Sequence, residues 1–111
     1  MKRPSLAVVI LNYNHPEDVI ECVASIDHEL SSGKASDVSV IVVDNASTND
    51  SVERLREAIP HHSLLTCNRN GGFSAGTNVG MRHALEEGAE WVLLLNPDTT
   101  CLLYTSDAAD E

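Results

Sequence analysis

The chain has 111 residues, 42% of them hydrophobic, which is enough for one small core and too few for two domains. Charged residues make up 22%, close to the globular average, which argues against wholesale disorder. A formal net charge of −10 argues against general nucleic-acid binding, which needs clustered Lys and Arg, yet leaves room for a small phosphorylated ligand held by backbone N–H groups, a cation or two and a metal.

Leu6 to Leu11 is a short continuous apolar run rich in β-branched residues, the pattern of a parallel strand buried on both faces. It is too short for a signal-peptide core and ends without a small-residue cleavage site, and no stretch reaches the ~20 apolar residues of a transmembrane helix. The segment therefore reads as cytoplasmic. Pro16 suits the first turn of a helix, with Glu17 and Asp18 complementing its dipole. Val19, Val23, Ile26 and Leu30 line one face of it, and Ser31-Ser32-Gly33 ends it.

Val38 to Val43 predicts the second strand. Ser47 or Asn49 can cap the next helix, whose inner face is Val52, Leu55 and Ile59 and which Pro60 breaks. Ser63 to Cys67 predicts a weaker third strand. A Gly-rich loop opens a third helix over about Ser74 to Glu87, stopped by Gly88. Trp91 to Leu95 predicts the fourth strand. Strands alternating with helices imply an α/β fold with an open, mostly parallel sheet and right-handed crossovers, and ligands in such sheets sit beyond the carboxyl ends of the strands.

Four polar clusters directly follow the four strands. Asn12-Tyr13-Asn14 follows the first, with Tyr13 equally suited to stacking on a ligand or to packing. Asp44-Asn45-Ala46-Ser47 follows the second; a carboxylate there can accept hydrogen bonds from a ribose or a base, or the segment is a turn with a helix cap. Asn68-Arg69-Asn70-Gly71-Gly72-Phe73 follows the third. Its glycines permit close backbone approach, its helix N-terminus favours anions and Arg69 can contact a base or a diphosphate; otherwise it is a helix-entry turn with Phe73 as a core anchor. The spacing Gly72, Gly76, Gly80 is neither a dinucleotide fingerprint nor a P-loop. Asn96-Pro97-Asp98 follows the fourth strand, where a divalent cation bridging Asp98 to phosphate oxygens, or an ordinary Asx turn, accounts for the carboxylate. Cys22, Cys67 and Cys101 form no C-x-x-C pair; Cys22 and Cys67 read as small hydrophobes in a reducing compartment. The five histidines, including the pair His61-His62, show no recognisable metal-ligand spacing.

In this order and spacing, Val8 to Asn14, Val42 to Ser47, Asn70 to Gly80 and Leu94 to Asp98 resemble the family 2 glycosyltransferases, in particular the rhamnosyltransferase-like branch, over about Ser5 to Thr99. The resemblance implies a Rossmann-like GT-A fold that binds a nucleoside-diphosphate sugar donor. Leu11, Asn12, Tyr13 and Asn14 would wrap the nucleoside, Asp44 with Asn45 and Ser47 would meet base or ribose, and Arg69, Asn70, Gly71, Gly72, Phe73 and Asn78 would border nucleotide and sugar. Asp98 matches the last aspartate of the family's metal motif, implying Mg or Mn, with Asn96 in place of the motif's first carboxylate. The implied chemistry is inverting transfer of a sugar, rhamnose by branch, to a glycan or lipid-linked acceptor. The base is expected downstream, so no catalytic residue is assigned. The whole protein is expected to reach the inner face of the cytoplasmic membrane peripherally.

Residues 1–100 therefore read as the donor-binding half of a transferase domain that is cut short and inactive alone. Residues 101–111 do not resemble what the family places there and read as a non-native tail. Two other classes remain open on the residues alone. A sugar-phosphate nucleotidyltransferase would need a Gly-rich basic loop where Asn12 to Pro16 stands. A receiver-like binding module would need an acidic cluster after the first strand and a later Lys, and no Lys follows Lys34.

Overall fold

The computed structural model describes residues 5–31 and 37–97, and the backbone of 101–105. Strands β1 (Leu6–Asn12), β2 (Val38–Asp44), β3 (Ser63–Thr66) and β4 (Trp91–Leu95) alternate with helices α1 (Pro16–Ser31), α2 (Ser51–Ala58) and α3 (Gly72–Glu86), and β5 (Cys101–Thr105) follows. The sheet order is β3-β2-β1-β4-β5. The first four strands pair in parallel, with Asn12 opposite Asp44 and Asp44 opposite Thr66, while β5 runs antiparallel to β4. The sequence pattern predicts no strand in residues 101–105, which would leave the outer edge of β4 bare. That edge is paired, so the row of open N–H and C=O groups moves one strand outward.

Alternation along the strands splits the core into two layers. Val8, Ile10, Val40 and Val42 face Val19 and Val23 of α1 and Leu55 of α2. Ala7, Val9, Ile41 and Val43 face the other way, toward Ala84 of α3, with Val92 and Leu94. Central strands buried on both faces explain why they read as unbroken apolar runs. α3 lies close to the sheet because two of its three glycines face it. A Cβ on Gly76 would stand 2.6 Å from Leu11 Cδ2, and one on Gly80 would stand 2.4 Å from Val9 Cγ1.

Boundaries differ from the sequence reading for local reasons. β1 and β2 each run one residue further, because Asn12 and Asp44 stay in the ladder. α3 begins two residues early, with Gly72 at φ 90°. Neither Ser47 nor Asn49 is the N-cap of α2. That position is Asp50, which makes no capping bond through its side chain. Asn49 Oδ1 instead accepts from Ser51 N at 3.0 Å, an Asx turn, and Ser47 is used elsewhere. The end of α1 at Ser32-Gly33 lies outside the described residues. No helix among the described residues is long and apolar enough to cross a membrane.

Candidate functional site

The strand order reverses its direction of growth between β1 and β4, the topological switch point where open α/β sheets leave a crevice at their carboxyl edge. A cleft of about 260 Å³ lies there. Leu11, Asn12, Tyr13 and His15 form one wall, Asp18 and Val19 of α1 another, and Asn45, Asn70 and Phe73 face Asn96 and Pro97. All four polar clusters that follow strands thus contribute to one cavity. Tyr13 and Phe73 are 42% and 51% exposed, so neither is a core anchor. His15, Asp18, Val19 and Pro97 were missed by sequence reasoning. Pro16 was the available signal, because a helix starting there puts its first turn at the carboxyl edge.

Asp44 sits behind this cleft rather than in its lining, 1% exposed. Its Oδ1 accepts from Asn12 Nδ2 at 2.9 Å and from Ser47 Oγ at 2.6 Å, and its Oδ2 accepts from Ser47 N at 2.9 Å. Ala46, at φ 61°, makes the tight return possible, in a region that costs an L-residue roughly 1–2 kcal/mol. Ser47 Oγ in turn accepts from Asn14 N at 2.9 Å and from Asn12 Nδ2 at 3.3 Å. Asn14, also at positive φ, receives Thr48 N on its Oδ1 at 2.8 Å, and its carbonyl receives Asn49 Nδ2 at 3.1 Å. The loops after β1 and β2 are therefore laced together.

Asn45 links this unit to the Gly-rich loop. Its Nδ2 donates to Asn70 Oδ1 and to the Gly72 carbonyl, both at 3.0 Å. Two acceptors on that side fix the amide's orientation and leave Asn45 Oδ1 buried with no donor among the described residues. Asn70 Oδ1 also accepts from Gly72 N at 2.8 Å. Arg69 is exposed on the same loop and Gly71 caps α3, and neither lines the cleft. Asn78 is not brought to the cleft either. It lies two residues past Gly76, about 200° around the helix, and faces a separate depression with Met81 and Arg82. Asp98 lies outside the described residues.

Burial, and then the nearby Asp44 carboxylate, push the Cys67 thiol up from its ordinary value. Cys67 packs against the α3-side core and Cys22 against the opposite one. Because the thiolate is the nucleophile, Cys67 should react with iodoacetamide at mildly alkaline pH more slowly than it does in the urea-unfolded chain. Peptide-resolved mass spectrometry measures this; equal rates would contradict the burial.

A second cluster escaped the sequence reading. Asp27 of α1 receives His61 on Oδ2 at 3.2 Å and His62 on Oδ1 at 2.9 Å, both through Nε2. Burial draws the Asp27 carboxyl upward, but the hydrogen bonds from His62 and His61 outweigh it and hold the group below its ordinary value.

A doubly wound parallel sheet with a polar cleft at its switch point defines a nucleotide-binding α/β layer. The model for the family described as "Glycosyl transferase family 2" matches residues 7–103, and the chain belongs to that family. It is 35% identical over 96 residues to the low-salt glycan biosynthesis hexosyltransferase Agl10 of Haloferax volcanii, covering 84% of this chain and 27% of that protein. It is 28% identical over 95 residues to the dTDP-rhamnosyl transferase RfbF of Shigella flexneri, covering 86% and 30%. Among solved structures, the mannosyltransferase PcManGT from Pyrobaculum calidifontis, in complex with GDP-Man and Mn2+, superposes with a TM-score of 0.67 at 26% identity, over 88% of this chain and 28% of that one. The fold is thus the Rossmann-like GT-A layout. The chain spans less than a third of the length of these relatives. The nucleotidyltransferase and receiver readings lose their support, the latter also because Asp44 is buried and bonded through both oxygens.

Proposed function

We propose that the cleft holds the nucleoside-diphosphate end of a sugar donor, as part of an inverting glycosyltransferase whose base and acceptor site lie beyond these residues. The observation that carries this reading is the convergence of Asn12, Tyr13, Asn45, Asn70, Phe73 and Asn96 on one switch-point cavity. The exposed faces of Tyr13 and Phe73 suit stacking on a base, and Asn45 holds the Gly-rich loop beside them through its bonds to Asn70 and Gly72. Asp44 acts as a positioning residue: it fixes Asn12 and Ser47, which shape the wall.

The lining of the cleft includes the Asp18 carboxylate and several side-chain carboxamides, the oxygen-bearing groups that suit Mg2+ or Mn2+. Asp98, next in the chain after the cleft residue Pro97, is the residue to hold that ion together with the donor's phosphates. When bound, the cation offsets charge developing on the departing diphosphate. Of the possible sugars we favour rhamnose from a dTDP donor, on the motif pattern of residues 94–98 and the likeness to a dTDP-rhamnosyl transferase. The acceptor on this reading is a glycan or a lipid-linked molecule.

Calorimetry with dTDP, UDP and GDP in the presence of Mn2+ tests the reading. One of the three should bind, and Asn45→Ala, which removes the two bonds that hold the Gly-rich loop beside the cleft, should weaken it about 5- to 10-fold, a loss on the order of 1 kcal/mol. Absence of binding by all three, to the chain extended through its natural downstream sequence, would overturn the proposal.

A further inference from the structure

We propose that Asp27, His61 and His62 form a binding site for a divalent transition-metal ion of the Zn2+ type, separate from the cleft. One ligand atom from each of the three lies within 4.8 Å of the other two. Ligands around a tetrahedral zinc ion, at 2.0–2.1 Å from it, stand about 3.4 Å apart, so small side-chain rotations bring this set into register. Both Nε2 atoms already face the two oxygens of one carboxylate, at 2.9 and 3.2 Å, and the imidazole centroids are 4.1 Å apart. In the bound state each ring is the neutral tautomer with its single proton on Nδ1 and its Nε2 lone pair on the ion. A ring that starts with its proton on Nε2 moves it to Nδ1 through solvent, a doubly protonated ring releases one proton to solvent, and Asp27 supplies the negative charge. His62 is 12% exposed and His61 59%, so the site has a fixed inner ligand and an open side for ion entry and a bound water.

The place of the cluster separates it from donor chemistry. α1 leaves the carboxyl edge of the sheet at Pro16, and Asp27 lies about 16 Å further along its axis. His61 and His62 stand immediately before β3 begins at Ser63. The cluster is therefore at the amino edge, with the sheet's length between it and the cleft. Its donor set differs as well. Two imidazoles and one carboxylate select Zn2+, Cu2+ or Ni2+ over the oxygen-seeking Mg2+ and Mn2+. A bound ion would tie α1 to the turn after α2, residues 34 and 35 apart in sequence.

The experiment is calorimetric titration of the 111-residue chain with ZnCl2 and, separately, MnCl2, about one unit above the ordinary imidazole pKa of about 6.5. Each is repeated on H61A/H62A, D27N and the control H83A. One Zn2+ per chain is expected, with affinity at least about 10-fold weaker in D27N, the loss that even outer-sphere partners cause. Binding should be absent in H61A/H62A, unchanged in H83A and undetectable for Mn2+. Circular dichroism of the metal-free variants checks that they fold. Should one not fold, 15N NMR of the wild-type imidazoles gives the answer, since both Nε2 resonances must shift at one equivalent of Zn2+. Zinc binding that persists in H61A/H62A, that is unaffected in D27N, or that leaves either Nε2 unmoved would overturn the assignment, as would no zinc binding at all.

Discussion

Asp44→Asn is expected to lower the chain's stability by about 2–4 kcal/mol and to abolish nucleotide binding. The carboxylate accepts three hydrogen bonds in a fully buried position, and bonds to a charged group are worth roughly 1.5–3 kcal/mol each. A carboxamide cannot replace it in either orientation. With its NH2 toward the Oδ2 side it meets Ser47 N–H, donor against donor. With its NH2 toward the Oδ1 side it meets Asn12 Nδ2, and only the Ser47 hydroxyl can turn to accept. Relief from burying a charge offsets part of this loss, which is why the expected figure is below the sum of the bonds. Thermal unfolding of wild type and variant decides the matter. A fall in Tm of at least about 8 °C is expected for a domain of this size, and a fall within about 2 °C would mean that the network is dispensable.

Gly80→Ala should cost a net of about 1–2 kcal/mol, although alanine favours helices over glycine by about 1 kcal/mol. The new methyl would stand 2.4 Å from Val9 Cγ1 and 3.1 Å from Val43 Cγ2. Both valines are buried and stiff about χ1, so α3 must lift from the sheet; overpacking of this kind costs roughly 1–3 kcal/mol, here in the upper part of that range, and the helical gain is subtracted from it. Because α3 begins at Gly72 and Phe73, a lift at Gly80 also disturbs the cleft. The double variant Val9→Ala/Gly80→Ala should destabilise less than the two single changes added together, and strict additivity would refute the contact. Urea unfolding midpoints supply the comparison. Asn78→Ala, on the solvent side of the same helix, is the control that should not destabilise.

The layer architecture was legible because its signals are local. Unbroken β-branched runs, Pro16 at a helix start, Pro60 at a helix end and Gly88 after another each carry a backbone constraint that tertiary packing did not override. Gathering of the site was legible through one topological rule, that loops after parallel strands share an edge. What stayed hidden was side-chain direction. Sequence placed Asp44 at a strand end but could not say that Ala46, in the left-handed region, turns Ser47 back to occupy both carboxylate oxygens. Nor could it say that Asn78 lies on the far side of α3 from Gly76. The glycines at 72, 76 and 80 were judged against phosphate-binding motifs, whereas two of them record how near a helix comes to a sheet. The Asp27 cluster was invisible for a different reason. Its members are 34 and 35 residues apart, and only the α1·α2 side of the fold brings them together.

The lacing between the segments after β1 and β2 bears on how such a scaffold can be re-engineered. Asn14 with Thr48 and Asn49, and Asn12 with Ser47, tie the two segments into a single cassette. Swapping one of them from a relative severs those ties and leaves polar groups stranded. Swapping both together keeps them, so chimeras and recombination libraries aimed at new donor preferences should exchange residues 12–15 and 44–49 as one graft.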